Sequence, residues 1–271
     1  MLHRYRRWLV VFLATILLGT IPAWAHDGWI EIHPAVAEQG QPVSVFLFFG
    51  NHSNEHKSYR LAGKWDPRYT QLSLVDPSGR VRDVTAQMID VGEDDATGPT
   101  GPKGFHLAAP TASEPGLYLA VARQVRVLQF NGPKFQSVMM AKTVFASLPA
   151  PTVAAAAGLT GFDRPVGGSD ALEIVPLSNP LALRSGDSVR LEVRFRGKPL
   201  ASTAVSIIGR VEGARSAKEL STDPDGHIAF AAGPADYYLA RVNVEDQNQR
   251  LEGQVDKTAY EATYVFPVFR R

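Results

Sequence analysis

Gln41-Pro42-Val43-Ser44-Val45-Phe46-Leu47-Phe48-Phe49 alternates apolar and polar positions at its start and closes in an unbroken apolar run. That is the pattern of a β-strand covered first on one face and then on both. Similar runs follow at short intervals. Tyr69 to Val75 leads into Asp76-Pro77-Ser78-Gly79, whose proline and glycine suit successive turn positions, and Val81 to Val84 returns as the second arm of a hairpin. Leu117 to Arg126 and Lys142 to Ser147 are the remaining strand candidates of the first half. The pattern resumes at Leu172 to Val175, Ser188 to Phe195, Ala204 to Ile208, His227 to Phe230, Tyr237 to Val244 and Tyr260 to Val268. Arg196-Gly197-Lys198-Pro199 joins one pair of these runs and Thr222-Asp223-Pro224-Asp225-Gly226 joins another as a hairpin turn, while the polar stretch Glu245 to Lys257 reads as an exposed loop. No stretch carries a sustained 3.6-residue apolar period. Short strands at this spacing predict an all-β protein of Greek-key sandwiches.

Composition changes at Leu148. Pro149-Ala150-Pro151, the four alanines Ala154 to Ala157, and then Gly158, Gly161, Gly167 and Gly168 read as a connector, with the flanking Pro and Gly limiting the alanines to a short helical turn. The predicted organisation is two β-sandwich domains in tandem, residues 26–148 and 171–271, joined by the linker 149–170.

Residues 1–25 read as a signal peptide. His3, Arg4, Arg6 and Arg7 precede the apolar run Trp8 to Leu18, which is far shorter than the roughly 20 residues of a membrane-spanning helix. Gly19 and Pro22 break it, and Ala23-Trp24-Ala25 offers small residues at the two positions a signal peptidase reads, so cleavage is expected after Ala25. No later run reaches membrane length. The mature chain is expected in the periplasm without a transmembrane segment.

Charge and cysteine usage narrow the function further. The whole chain has 28 basic and 27 acidic residues, and removing Arg4, Arg6 and Arg7 with the leader leaves 25 against 27. Such a balance lacks the clustered cations that nucleic acid or anionic lipid requires, so no nucleic-acid partner is expected. With no cysteine, thiol catalysis, disulfides, iron–sulfur clusters and Cys-based zinc sites are excluded, and any metal must be held by His, carboxylate, backbone or water.

Cleavage after Ala25 would make His26 the amino-terminal residue, whose α-amine and imidazole can close on one divalent cation. Nitrogen donors of this kind suit Ni, Co, Cu or Zn, with affinity rising toward copper. Two nitrogens make a weak site, and His52, His56 and His106 are the candidate further ligands. Each also has an ordinary reading. A terminal residue can simply fray, His52 and His56 lie in an Asn/Ser-rich loop, and His106 reads as a lone loop histidine after Gly104-Phe105. His52-Ser53-Asn54-Glu55-His56 fits the H-x-x-E-H pattern of inverted zinc peptidases. It follows a strand and lacks the apolar period of a catalytic helix, so a peptidase is not expected and no catalytic residue is assigned. Asp90, Glu93, Asp94 and Asp95 read as a solvated acidic loop rather than a calcium site, and Asp223-Pro224-Asp225-Gly226 lacks the closing Glu of a calcium loop.

The opening His26-Asp27-Gly28-Trp29-Ile30-Glu31, the strand end Gly50-Asn51-His52-Ser53-Asn54-Glu55-His56, and Leu172-Glu173-Ile174-Val175-Pro176-Leu177 with Gly197-Lys198-Pro199-Leu200 and Thr222 to Gly226 resemble one family. It is the exported domain-of-unknown-function family described as a periplasmic component of nickel or cobalt uptake, and the second half resembles its immunoglobulin-like or transthyretin-like modules. The resemblance implies a two-domain β protein with a metal role beside an inner- or outer-membrane uptake transporter. The function expected is therefore non-enzymatic binding of a divalent transition metal. The alternative is an extracytoplasmic interaction module for a receptor, glycan or membrane protein, with the histidines incidental.

Overall fold

The computed structural model describes residues 27–50, 65–93, 103–129, 132–211, 214–249 and 255–269. The expected leader, and with it the cleavage site, lies outside the described residues. Before the connector the chain forms β1 (Asp27–His33), β2 (Val36–Glu38), β3 (Ser44–Gly50), β4 (Thr70–Val75), β5 (Val81–Asp83), β6 (Ile89–Glu93), β7 (Lys103–Ala108), β8 (Gly116–Leu128) and β9 (Phe135–Leu148). A one-turn helix α1 (Val153–Ala157) follows, then β10 (Leu172–Pro176), β11 (Ser188–Phe195), β12 (Lys198–Pro199), β13 (Ala204–Val211), β14 (Ala214–Ser221), β15 (His227–Ala231), β16 (Tyr237–Asp246) and β17 (Thr258–Pro267).

The strands form β-sandwiches around one long sheet. Nine strands join it, eight in the order β14-β13-β16-β17-β9-β8-β4-β5, with β2 beside β9. Strands from both sides of residues 149–170 therefore hydrogen-bond into the same sheet, through the parallel pairing of β17 with β9 from Thr258↔Gln136 to Val265↔Thr143. A four-stranded sheet, β1-β3-β7-β6, covers one face, and β10, β11, β12 and β15 cover the other.

Period-two alternation shows why β9 must be apolar on both sides. Val138, Met140, Val144 and Ala146 face the larger core with Leu172, Ile174, Leu191 and Val193. Met139, Ala141 and Phe145 face the smaller core with Ile30, Ile32, Val45, Leu47 and Trp65. A strand buried on both faces reads as a continuous apolar run. Lys142 is the charged exception: it points into the larger core, fully buried, with its Nζ 2.5 Å from Glu173 Oε1 of β10. Glu173 also accepts from the backbone N–H groups of Val166 and Gly167 at 2.9 and 3.0 Å. Burial pulls the Lys142 ammonium below its ordinary pKa against the opposing pull of Glu173.

The 149–170 stretch is tied to the sandwich rather than free. Thr152 caps α1 by accepting from Ala155 N at 3.1 Å, Ala156 is buried, and Leu159, Phe162 and Val166 pack on the larger core. Asn179 Nδ2 donates to the carbonyls of Ala156, Ala157 and Leu159.

Local turn chemistry matches the sequence in two places. Val75↔Val81 closes the hairpin around Asp76-Pro77-Ser78-Gly79, and Phe195↔Lys198 closes a two-residue loop in which Arg196 and Gly197 both have positive φ, 53° and 75°. Thr222 to Gly226 differs from expectation. It carries the chain from β14, in the long sheet, to β15, which pairs with β11 in the covering sheet, so it is a corner between sheets rather than a hairpin turn. Its glycine has φ +76°, and a Cβ there would stand 2.8 Å from Val193 O.

Candidate metal site

His106 was expected in a loop. It lies instead in the middle of β7, opposite Leu47 of β3 on one side and Asp90 of β6 on the other. The acidic-loop reading changes with it: Asp90 and Glu93 belong to β6, while Asp94 and Asp95 lie outside the described residues. Opposed residues of antiparallel strands share a face, so Ile30, Leu47, His106 and Asp90 form one row across the four-stranded sheet. Ile30 and Leu47 are fully buried, His106 is 6% exposed and Asp90 is exposed. The row thus runs from the dry core to solvent at the edge strand β6.

Among the described residues nothing hydrogen-bonds to the His106 ring. Burial lowers its pKa below the ordinary imidazole value, and the carboxylates of Asp90 and Asp66 pull the other way. Asp66 is engaged elsewhere. Its oxygens accept from Arg68 Nε at 3.0 and 3.1 Å and from Nη2 at 2.6 Å, and this pairing lowers its pKa to about 2.

The start of β1 is held by the last strands of the chain. Gly28 N donates to Glu261 Oε1 at 3.0 Å and Thr263 Oγ1 donates to Gly28 O at 2.7 Å. Arg241 pairs with the Asp27 carboxylate. Trp29 packs with Phe48, Ile208, Leu239 and Val265. Glycine at position 28 permits this close approach, because a Cβ would stand 2.4 Å from Met139 Cε and 2.9 Å from Trp65 Cζ2 and both would have to shift. Asp27 faces Gly50, so β1 and β3 end at the same edge of their sheet.

Of the four expected ligands, His26, His52 and His56 lie outside the described residues, as does the whole H-x-x-E-H stretch. Asp27 and Gly50 are the described residues nearest to them in sequence. His33 ends β1 with its side chain 70% exposed, 4.0 Å from Glu31 Oε2, and stands edge-on to Phe46. A separate cluster that sequence reasoning assigned only to a turn is Asp223, Asp225 and His227, whose ligand-type atoms lie within 4.8 Å of one another. Asp223 Oδ1 is occupied there by the backbone N–H groups of Asp225 and His227.

Sequence reasoning also missed the pairing of Asp90 with His106. Ile89-Asp90-Val91-Gly92-Glu93 and Lys103-Gly104-Phe105-His106-Leu107-Ala108 both alternate, and the Gly/Pro-rich stretch between them marks the join of two antiparallel strands.

The layered sheets define an all-β protein of the β-sandwich class. Over residues 23–246 the chain matches, and belongs to, the family described as Domain of unknown function (DUF4198). No curated protein matches it. Among solved structures it is similar to a tetra-tandem repeat from the extending region of a large adhesion protein, at 10% identity over 89% of this chain and 49% of that one, with a TM-score of 0.26. A two-domain fibronectin type-III segment from chicken tenascin matches at 9% identity, 89% and 100% coverage and a TM-score of 0.22. Escherichia coli alpha-2-macroglobulin activated by porcine elastase matches at 11%, 90% and 20% coverage and 0.24. The chain thus spans about half the length of the adhesion-protein repeat and a fifth of the macroglobulin. Among the described residues no helix is long and apolar enough to cross a membrane.

Proposed function

We propose that this protein is a non-enzymatic periplasmic binder of a divalent transition metal, Ni or Co foremost with Cu and Zn as competitors, that serves an uptake transporter. The observation that carries the reading is His106: a buried imidazole without a hydrogen-bond partner among the described residues, in a row that reaches solvent at Asp90. Buried polar groups are ordinarily paired. A neutral imidazole left unpaired at the wet end of a sheet is suited to accept a cation. His26 would add its amine and imidazole once the leader is removed, and His52 and His56 complete the candidate set.

The test is calorimetric titration of Ni(II), Co(II), Cu(II) and Zn(II) into two untagged forms, one beginning at His26 and one with an extra alanine before it. Tight one-to-one binding is expected from the first and loss of affinity from the second. Binding no tighter than about 100 μM in both forms would remove the metal reading, because scattered surface histidines reach that level by chance.

A further inference from the structure

We infer, resting on the metal reading above, that Asp90 is the carboxylate partner of His106, and that the two residues hold one divalent cation between β6 and β7 at the solvent-facing end of their row. The register sets the two residues directly across from each other, a relation that brings Cβ atoms within about 4.5–5.5 Å on the same face. A cation bound at about 2.0–2.2 Å to an imidazole nitrogen and a carboxylate oxygen needs those atoms only about 3 Å apart.

Three independent features of the row favour a ligand there. His106 is only 6% exposed, and no side-chain hydrogen bond among the described residues involves it. Among the described residues the other carboxylate acting on His106, Asp66, is engaged by Arg68, which leaves Asp90 as the available oxygen donor. Two residues along the same face, the rung Gly92↔Gly104 carries no side chain at all, and a Cβ at Gly92 would meet nothing within 4 Å. Among the described residues that position beside the pair is open. A mixed nitrogen and oxygen donor set suits Ni(II), Co(II) and Zn(II), whereas soft Cu(I) prefers sulfur. Water fills the open positions, which leaves the ion exchangeable from the β6 edge.

The experiment uses the full mature chain with Co(II) and Ni(II) as probes and the variants Asp90→Asn, His106→Gln and the double substitution. Asp90 is exposed on an edge strand, so Asp90→Asn keeps the fold even if His106→Gln does not. Each single substitution is expected to weaken Co(II) and Ni(II) binding about tenfold or more, and Asp90→Asn to change the visible Co(II) absorption spectrum while leaving its own unfolding midpoint unaltered. The double variant should lose much less than the sum of the two, because both act on one ion. Unchanged affinity and spectrum in Asp90→Asn, with binding still abolished by the added alanine, would overturn the assignment of Asp90 and leave the amino-terminal site standing. No binding in the unmodified chain would remove both.

Discussion

At the scale of single residues, two buried ionisable groups make opposite demands. The His106 pKa is lowered chiefly by burial. The unfolded chain takes up a proton there near pH 6.5 that the folded chain refuses until lower pH, so the unfolded state binds more protons in this window. Stability from this site is complete above about pH 6.5 and is lost as pH falls below it. Urea unfolding at pH 7.5 and pH 5 should show that loss, and His106→Gln should flatten it; an equal slope in the variant would count against the assignment. Lys142 and Glu173 instead stand as an ion pair in the larger core. Removing one partner strands the other, so Lys142→Met should cost about 3–5 kcal/mol. Replacing both residues with apolar ones of similar volume should recover most of that loss, as read by denaturant unfolding of the three variants.

At the scale of elements, the legible strands were those whose faces differ or whose cover is total. β3, β4, β8 and most of the second half announced themselves, and β9 did so only from Lys142 onward because Phe135 to Ala141 mixes polar and apolar residues. β1 was read through its motif rather than as a strand. β6 and β7 were hidden for another reason: glycine, Asp90 and His106 sit where an ordinary strand would place apolar residues. Missing them misplaced His106 and concealed its neighbour. β14, Ala-Arg-Ser-Ala-Lys-Glu-Leu-Ser, is an edge strand whose charges give no apolar pattern and blunt pairing with other chains. The connector illustrates the same limit, since Ala156 and Phe162 pack on the larger core in a stretch whose composition reads as a linker. Close approach of elements is testable at β1. Gly28→Ala should destabilise the protein by about 1–3 kcal/mol, because Met139 and Trp65 must give way in a filled core. An unaltered thermal midpoint would contradict that tight contact.

At the scale of the whole molecule, the pairing of β17 with β9 makes one sheet of strands that sequence reasoning divided between two tandem domains. Their order in each half was visible; the partnership between halves was not, because parallel pairing across 122 residues, as between Thr143 and Val265, leaves no local mark. Calorimetry of the mature chain should show a single unfolding transition, since separating the halves would bare both cores of β9 and the edge of β17. Two resolved transitions would show that each sandwich stands without the shared sheet.

The clasp on Gly28 bears on timing as well as on stability. Its donors and acceptors are separated by 233 and 235 residues of chain, so this clasp cannot close until nearly the last strand has arrived. Contacts this distant in sequence close slowly and late. During synthesis from the amino terminus the clasp would stay open, and the start of β1 would be locked in place only after β17 has been made.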